Sequence, residues 1–364
     1  MFANTNRYAP RQSFPRRRPT WARLSEVSHT PRASRTGVSA VSARMPLFTL
    51  ARILGATLLP LATFAAPPEI HVAADGSGDF RTVQAAIDAA PSGGTGRTVI
   101  LVRRGTYREL ITVPPEKVNL TLRGEDRAGV VIAAENNARL NPRRRELFSA
   151  LADGFRLENL TLHNTTPKGG SQAEAIRVNA DRVVLERCDF RSFQDTLRLD
   201  GRVYLRNCRV EGDVDFVWGS GTAWFERCHL RALHDGYLVQ SRNGERRDGY
   251  LFHECRIEAA PGVGRFVLAR IDPGRFPHSH VAFIRCTLGP GISPAGWTFD
   301  GPGADAPKHG IRFWEFGSLT PDGRLADISS RTAGSRQLSV TEAGEHADLA
   351  RFFALPQPWN PLAP

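Results

Sequence analysis

Two aspartates in the middle of the chain, Asp195 and Asp215, are twenty residues apart. When two carboxylates lie close together and partly buried, their pKa values separate, so that one stays protonated while the other is an anion. Such a pair can supply a nucleophile and the acid that protonates a leaving group. Gln172 and Gln194 lie in the same region, and their side-chain amides could hold a developing oxyanion. An isolated pair of aspartates is more commonly found at solvated turns, so this interpretation depends on the surrounding elements.

The cysteines repeat at the same interval as the aspartates. Five short runs share the form apolar-x-apolar-x-x-Cys-x-apolar, and their cysteines are Cys188, Cys208, Cys228, Cys255 and Cys286. Repeats of 20 to 31 residues, with short strands and no intervening helix, are typical of a solenoid in which each repeat forms one coil and the longer repeats carry inserted loops. Neighbouring parallel rungs are about 4.8 Å apart. The spacing therefore predicts that Asp195 and Asp215 are neighbours on adjacent rungs.

The predicted fold is all-β: a single-domain right-handed parallel β-helix with a short N-terminal helix and a C-terminal helical tail. A first helix of about nine residues is expected to end just before Pro91, with Ala85, Ala86, Ile87 and Ala90 on its apolar face. The tail is expected to form one helix over residues 341–353, and residues 105–107 a turn. A βαβ sheet is disfavoured because it needs helical crossovers. A β-sandwich is the remaining alternative, but it does not explain the cysteine repeat.

The cysteines are expected to form a buried interior stack of small side chains. Adjacent rungs also bring Cα atoms within disulfide reach, so a Cys208–Cys228 disulfide is the alternative. No CxxC or His/Cys cluster has the spacing of a zinc site. We therefore expect neither a metal nor another cofactor.

The N-terminal residues differ in composition from the rest of the chain. Residues 1–44 contain nine arginines and one acidic residue, and they are expected to be a disordered basic leader arising from an over-long gene start. Residues 45–66 have the basic start, apolar core and small-residue end of a signal peptide, although a buried element of the domain is an alternative. Residues 67–364 are then expected to form the parallel β-helix domain, which would be secreted or periplasmic and would have no membrane partner in its mature form. This domain has a net charge of only +2, which removes the main argument for nucleic-acid binding.

Several motifs occur together in a family-specific order. They are VAADGSGDFRTVQAAIDAAP (72–91), GTYREL (105–110), NLTLHNTT (159–166), QAEAIR (172–177), FQDTL (193–197), GDVDFVWG (212–219), LVQSR (238–242), SPAGW (293–297), FWEFGS (313–318) and the SRQL…WNP tail (335–361). With these motifs the sequence resembles the pectin methylesterase (pectinesterase) family, bacterial type, over nearly all of residues 70–362. The family's fold is the right-handed parallel β-helix, in agreement with the repeat.

The resemblance implies a role for each catalytic candidate. Asp215 would be the nucleophile that attacks a galacturonate methyl ester and forms an acyl-enzyme. Asp195 would protonate the departing methanol and then act as a base on water. Gln172 and Gln194 would stabilise the oxyanion, and Arg270 would hold the carboxylate of Asp215.

The resemblance also implies a set of substrate contacts. Aromatic and charged side chains of the substrate cleft would be Trp218, Trp297, Phe193, Arg242 and Glu174. Trp297 could instead be a core residue, and Arg242 a surface charge. Two departures from the family pattern concern this cleft. Asp272 replaces a cleft-lining tryptophan, and Glu174 stands in the middle of the usual QAVAL motif, on the same strand face as Gln172. These two carboxylates are expected to repel demethylated galacturonate.

The sequence thus predicts a monomeric carbohydrate esterase that hydrolyses methyl esters of galacturonate units in pectin, its polysaccharide substrate. One alternative is a pectin-backbone hydrolase or lyase, because these enzymes also use parallel β-helices. Another is a repurposed member that acts on a different acyl ester or only binds acidic glycans. That second alternative is motivated by the changes at Asp272 and Glu174 and by Ile271, which stands where the family usually has proline.

Overall fold

The computed structural model describes residues 69–363, and their secondary structure is dominated by short parallel strands. The strands are β1 (Glu69–Val72), β2 (Thr98–Val102), β3 (Gly105–Tyr107), β4 (Ile111–Val113), β5 (Leu120–Gly124), β6 (Val130–Ala134), β7 (Phe148–Ala150), β8 (Arg156–Glu158), β9 (Thr161–Asn164), β10 (Ile176–Val178), β11 (Val183–Glu186), β12 (Asp189–Arg191), β13 (Leu197–Leu199), β14 (Arg202–Arg206), β15 (Arg209–Gly219), β16 (Thr222–Glu226), β17 (His229–Ser241), β18 (Tyr250–His253), β19 (Arg256–Ala259), β20 (Phe266–Ile271), β21 (His280–Ile284), β22 (Thr287–Leu288), β23 (Trp297–Phe299), β24 (Arg312–Phe316) and β25 (Arg336–Gln337). The leader at 1–44 and the signal peptide at 45–66 lie outside the described residues.

The strands stack into the sheets of a β-helix. One sheet runs β1-β2-β5-β8-β11-β14-β16-β18-β21-β24-β25, and a second sheet of fourteen strands forms the other faces of the coil. Pairing along both sheets is parallel, and β14 pairs with β11 and β16, so each coil rests on the coil before it. The long strands β15 and β17 pair along two faces of the coil and join them into the second sheet. The predicted β-helix is therefore confirmed.

A sharp bend precedes each cysteine of the repeat. The residue before the cysteine has a positive φ in every case, for example 51° at Arg187 and 55° at Asn207. A single left-handed residue redirects the strand and turns the following cysteine inwards. The thiol of Cys208 then donates a hydrogen bond to the Leu185 carbonyl oxygen of the previous coil, at 3.3 Å. The interior stack is confirmed, whereas the Cys208–Cys228 disulfide is wrong, because all five cysteines are free and buried.

Thiol counting checks this arrangement. We expect five thiols per chain to react with a thiol reagent after unfolding without reductant, and almost none in the native protein, because all five are buried. Reductant should leave the Tm unchanged. Only three reactive thiols in the unfolded chain would mean that one disulfide forms.

Aromatic side chains form a second interior stack. The rings of Phe225 and Phe252 are 4.3 Å apart, and those of Phe252 and Phe283 are 4.6 Å apart, both nearly parallel. Phe252 is fully buried between them. Its replacement by alanine removes contacts on both sides and leaves a cavity in the core.

We expect Phe252→Ala to lower the free energy of unfolding by about 3–5 kcal/mol. Denaturant titration measures this change. Leu325→Ala is the matched control, because Leu325 is 76% exposed, and it should change stability by less than about 0.5 kcal/mol. Equal effects of the two substitutions would contradict the described core.

The helices partly follow the prediction. Helix α1 (Val83–Ala89) begins after Thr82, whose side chain accepts the Ala85 N–H. Ala86, Ile87 and Ala90 are buried as predicted, whereas Ala85 is half-buried. The tail forms two helices, α2 (Val340–His346) and α3 (Leu349–Phe352), where one was predicted. The break occurs because the Asp348 side chain accepts the N–H groups of the next turn and starts a new helix. Residues 105–107 form strand β3 and not a turn.

Among the described residues, none of the helices has the length and apolarity needed to cross a bilayer.

Candidate active site

The parallel register brings the two aspartates together. Positions that pair on successive rungs of the second sheet are Phe148, Ile176, Leu197 and Val217. Two residues before each of them stand four carboxylates, which we call the acid column: Glu146, Glu174, Asp195 and Asp215. The Asp195 N–H donates to the Val214 carbonyl oxygen at 3.1 Å, so Asp195 and Asp215 lie on adjacent rungs. The predicted adjacency is confirmed.

Both aspartates have an unusual backbone conformation. Asp195 has a φ of 68° and Asp215 a φ of 49°. A non-glycine residue in the left-handed region costs about 1–3 kcal/mol and is tolerated where the surrounding structure fixes it. Such a residue also interrupts the alternation of inward and outward side chains along a strand. Both aspartates, in this conformation, have side chains that line the wall of a cleft.

Asp215 is held as an anion by a charged network. Arg270 donates from Nε to Asp215 Oδ1 at 2.7 Å and from Nη2 to Oδ2, which is a two-pronged contact. The Gln240 side-chain amide also donates to Oδ2, at 3.2 Å. Such charge-assisted pairs stabilise the carboxylate form. The pKa of Arg270 is raised, first by its hydrogen bond to Asp215.

Asp195 has the opposite environment. Burial raises its pKa well above the ordinary value, and the neighbouring Glu174 raises it further. Arg145 opposes these effects by donating from Nη2 to Asp195 Oδ2 at 3.1 Å. The balance favours a protonated Asp195 beside an ionised Asp215. This is the division of roles that a nucleophile and a general acid require.

These groups face a cleft of about 340 Å³. Its lining side chains include Gln172, Gln194, Asp195, Asp215, Trp218, Arg242 and Arg270 from the predicted set, together with Arg145, Gln240, Asp272, Arg275, Phe276 and Asp300. The structure therefore gathers all five predicted catalytic candidates into one cleft. Arg242 also lies there, as expected of a substrate contact.

Trp218 lines the cleft, but its ring is largely covered. Only 6% of its surface is exposed. The guanidinium groups of Arg242, Arg198 and Arg145 lie 4.6, 4.7 and 5.1 Å from the ring centre. The indole thus serves as a platform for arginines, and little of its face is left for a sugar ring.

Two of the aromatic candidates do not line this cleft: Trp297 takes the core alternative, and a substrate contact by Phe193 stays a prediction. Trp297 pairs with Ala269 on an inward-facing rung, is 1% exposed and stacks on Phe313, so it belongs to the core. Phe193 is half-buried and stacks on His234, with ring centres 6.1 Å apart, and it is not among the side chains that line the cleft. Neither residue can be assigned to the substrate surface of this cleft.

The two extra carboxylates also differ from the expectation. Glu174 is 1% exposed and binds Arg145, so the prediction that it contacts substrate is wrong. Asp272 is 8% exposed, and its Oδ1 accepts the backbone N–H groups of Gly274 and Arg275. It therefore organises a turn that carries Arg275 and Phe276 to the cleft. The lining contains four arginines and four aspartates, so the repulsion expected from these two carboxylates is not supported.

The sequence reasoning missed five charged, amide or aromatic side chains of the cleft, namely Arg145, Gln240, Arg275, Phe276 and Asp300. Gln240 lies in the LVQSR motif and pairs in register with Trp218, which a correct count of the enlarged coil would have revealed. Phe276 follows the turn at Asp272. Arg145 lies in a loop just before β7, with no repeat to place it. Only the three-dimensional structure identifies it as a partner of Asp195.

A carboxylate paired with an arginine, a carboxyl group whose pKa is raised by burial, and two side-chain amides thus share one cleft on a parallel β-helix. This combination is suited to acyl transfer from an ester: attack, support of an oxyanion, and protonation of an alcohol. The fold and site define the class of protein as a β-helical esterase.

Comparison with known proteins gives the family. A family model described as Pectinesterase matches residues 69–335. Pectinesterase 31 of Arabidopsis thaliana is 34% identical over 290 residues, which cover 76% of this chain and 89% of the relative. Probable pectinesterase 56 of the same plant is 33% identical over 67% of this chain and 92% of its own length. The chain belongs to the pectinesterase family and is a carboxylic ester hydrolase that acts as a pectin demethylesterase.

Solved structures agree with this assignment. Pectin methylesterase from carrot superposes with a TM-score of 0.71 at 26% identity, over 79% of this chain and 93% of that one. A pectin methylesterase in complex with hexasaccharide VII has a TM-score of 0.68 at 24% identity, over 82% of this chain and all of that one, and it shares the fold.

Proposed function

We propose that this protein demethylates pectin through an acyl-enzyme in which Asp215 is the nucleophile and Asp195 the acid and base. The observation that supports these roles best is the contrast between the two aspartates. Asp215 is bound in a two-pronged contact by Arg270, whereas Asp195 lies beside Glu174 and has a raised pKa. The two carboxylates are on adjacent rungs and face the same cleft.

In the first half-reaction, a carboxylate oxygen of Asp215 attacks the carbonyl carbon of a galacturonate methyl ester. The carbonyl electron pair moves to oxygen, and the amides of Gln172 and Gln194 donate hydrogen bonds to that oxyanion. When the carbonyl re-forms, the bond to the methoxy group breaks. Asp195 gives its proton to the departing oxygen, which leaves as methanol.

In the second half-reaction, Asp195 is a carboxylate and takes a proton from water. The resulting hydroxide attacks the acyl carbon of the anhydride formed with Asp215, and the bond to Asp215 breaks. The product is a galacturonic acid carboxyl group, which then releases its proton to the solvent and becomes a carboxylate. Both aspartates return to their starting protonation states, since the proton taken from water stays on Asp195.

We propose that the substrate is a polysaccharide segment longer than one sugar. Support comes from the cleft, where the exposed Arg275 and the half-buried Phe276 and Arg242 lie beside the two aspartates. Arginines can bind free galacturonate carboxylates next to the ester that reacts. The hexasaccharide complex of the related pectin methylesterase fits this view.

We also propose that the enzyme acts as a monomer after export, with residues 45–66 as the signal peptide.

Product analysis tests the proposed function. Residues 67–364 are incubated with highly methylated pectin, and methanol, new reducing ends and unsaturated ends are measured in the same sample. We expect methanol alone. New reducing ends would indicate a hydrolase of the backbone, unsaturated ends a lyase, and no product from folded protein would contradict the proposal.

A further inference from the structure

Arg145 connects two carboxylates of the acid column. Its Nη2 lies 2.7 Å from Glu174 Oε1 and 3.1 Å from Asp195 Oδ2, and its Nε donates to the same oxygen of Glu174 at 2.8 Å. The Glu174 side chain is 1% exposed and that of Arg145 21% exposed. One guanidinium thus serves two buried acids, and its closer contacts are with Glu174.

Charged groups face Asp195 from four directions. Glu174 stands on the preceding rung and Asp215 on the following rung. Both carboxylates raise the pKa of Asp195, and burial raises it more than either of them does. Arg145 approaches from the loop before β7, and Arg242 from the end of β17. Arg242 is also engaged elsewhere, because its Nε donates to Gln240 Oε1 at 2.7 Å. Asp215 is itself matched by Arg270. Arg145 is therefore the cation in direct contact with Asp195, and Glu174 is the group that competes for it.

We propose that Glu174 is a positioning residue that retains the proton on Asp195, because it binds Arg145 and withholds that guanidinium's charge from Asp195. The proposal rests on the role of Asp195 as general acid. Without Glu174, Arg145 would be a full counter-charge to Asp195 and would stabilise its carboxylate form. That form cannot protonate methanol.

A purely structural role does not account for Glu174. Its Oε2 is buried and has no hydrogen-bond partner among residues 69–363, and its own pKa is raised, mainly by burial. A buried ion pair is commonly no more stabilising than an apolar residue of similar volume. Glu174 and Arg145 together form a charge pair that tunes the neighbouring acid.

The test compares Glu174→Gln, Arg145→Gln and the double variant. Two readouts are used: the carboxyl resonance of Asp195 in 13C NMR titrations without substrate, and the pH dependence of kcat/KM for methanol release. Activity needs protonated Asp195, so it falls as pH rises through the pKa of Asp195. Glu174→Gln removes a like charge and frees Arg145, which lowers that pKa and shifts the basic limb to lower pH by about one unit or more.

Arg145→Gln should shift both readouts in the opposite direction, because it removes a positive charge. The double variant should lie between the two single variants, since the two opposed changes are then combined. Glu186→Gln is the matched control. Glu186 forms ion pairs with Arg187 and Arg206 on the first sheet, and its loss should leave the titration of Asp195 in place.

Specific outcomes would overturn the proposal. One is a Glu174→Gln variant that loses rate equally at all pH values while the basic limb and the Asp195 resonance stay unmoved. If Glu174→Gln does not fold, Arg145→Gln decides alone, and an unmoved or lowered pKa of Asp195 rejects the proposal. The NMR titration needs no turnover. It therefore separates failure of this coupling from failure of the proposed function, which would show as no methanol from the parent.

Discussion

Replacing Asp215 with asparagine is expected to lower kcat for methanol release by at least about 10⁴-fold, the scale seen when a covalent nucleophile is removed. The amide keeps the size of the side chain but is not nucleophilic. Asp215 is 5% exposed and lies in the two-pronged contact with Arg270, so water cannot easily replace it in the same position. Steady-state methanol release measures the effect, with circular dichroism and thermal unfolding to verify the fold.

Asp300→Asn is the matched control for this substitution. Asp300 contacts the same arginine, with Arg270 Nη1 at 3.2 Å from its Oδ2, but it is 32% exposed. A partly exposed pair contributes about 0–1 kcal/mol, so this variant should lose no more than about tenfold in kcat. If Asp215→Asn retained most of the activity while Asp300→Asn did not, Asp215 could not be the nucleophile.

Replacing Asp195 with asparagine is expected to lower kcat by about 10²–10⁴-fold, the usual contribution of general acid and base catalysis. The variant should also lose the basic limb of its pH profile. Burial and Glu174 raise the pKa of Asp195, so the parent limb should lie well above the ordinary pKa of an aspartate. The loss should be smaller for esters of a more acidic alcohol, such as trifluoroethanol, because such a leaving group needs less protonation.

The pH profiles of kcat/KM for methyl and trifluoroethyl esters of galacturonate oligomers measure this prediction. The matched control is Asp235→Asn, because Asp235 is an exposed residue whose carboxylate accepts backbone N–H groups of Gly264 and Arg265. It should keep the parent profile. An Asp195→Asn variant with an unchanged basic limb would assign the acid to another group.

The fold and the central pair could be predicted because they follow from periodicity. Cys188, Cys208 and Cys228 repeat every twenty residues, and this step fixes which positions stack in that part of the chain. Asp195 and Asp215 are separated by one such step. Their adjacency is therefore a property of the sequence alone, once parallel pairing is accepted.

The substrate surface could not be predicted in the same way. Trp297 pairs with Ala269 at an inward-facing position of the coil. Arg270 is the next residue after Ala269 and faces the cleft, so an error of one residue in register exchanges a core position for a cleft position. Loops of different length between the coils hide that register. Glu174 looked exposed because it shares a strand face with Gln172, but Arg145 approaches from a loop and covers it. Loop residues without a repeat carry no sequence signal of their partners.

The most direct test of the acyl-enzyme is capture by hydroxylamine during turnover of methylated galacturonate oligomers. Hydroxylamine attacks the acyl carbon of the anhydride and displaces the Asp215 carboxylate, which yields a galacturonate hydroxamate. The account predicts that hydroxamate forms in proportion to hydroxylamine, at the expense of free acid, and only with the parent enzyme and not with Asp215→Asn. Undiminished methanol release by Asp215→Asn, with no hydroxamate from the parent at any hydroxylamine concentration, would contradict it.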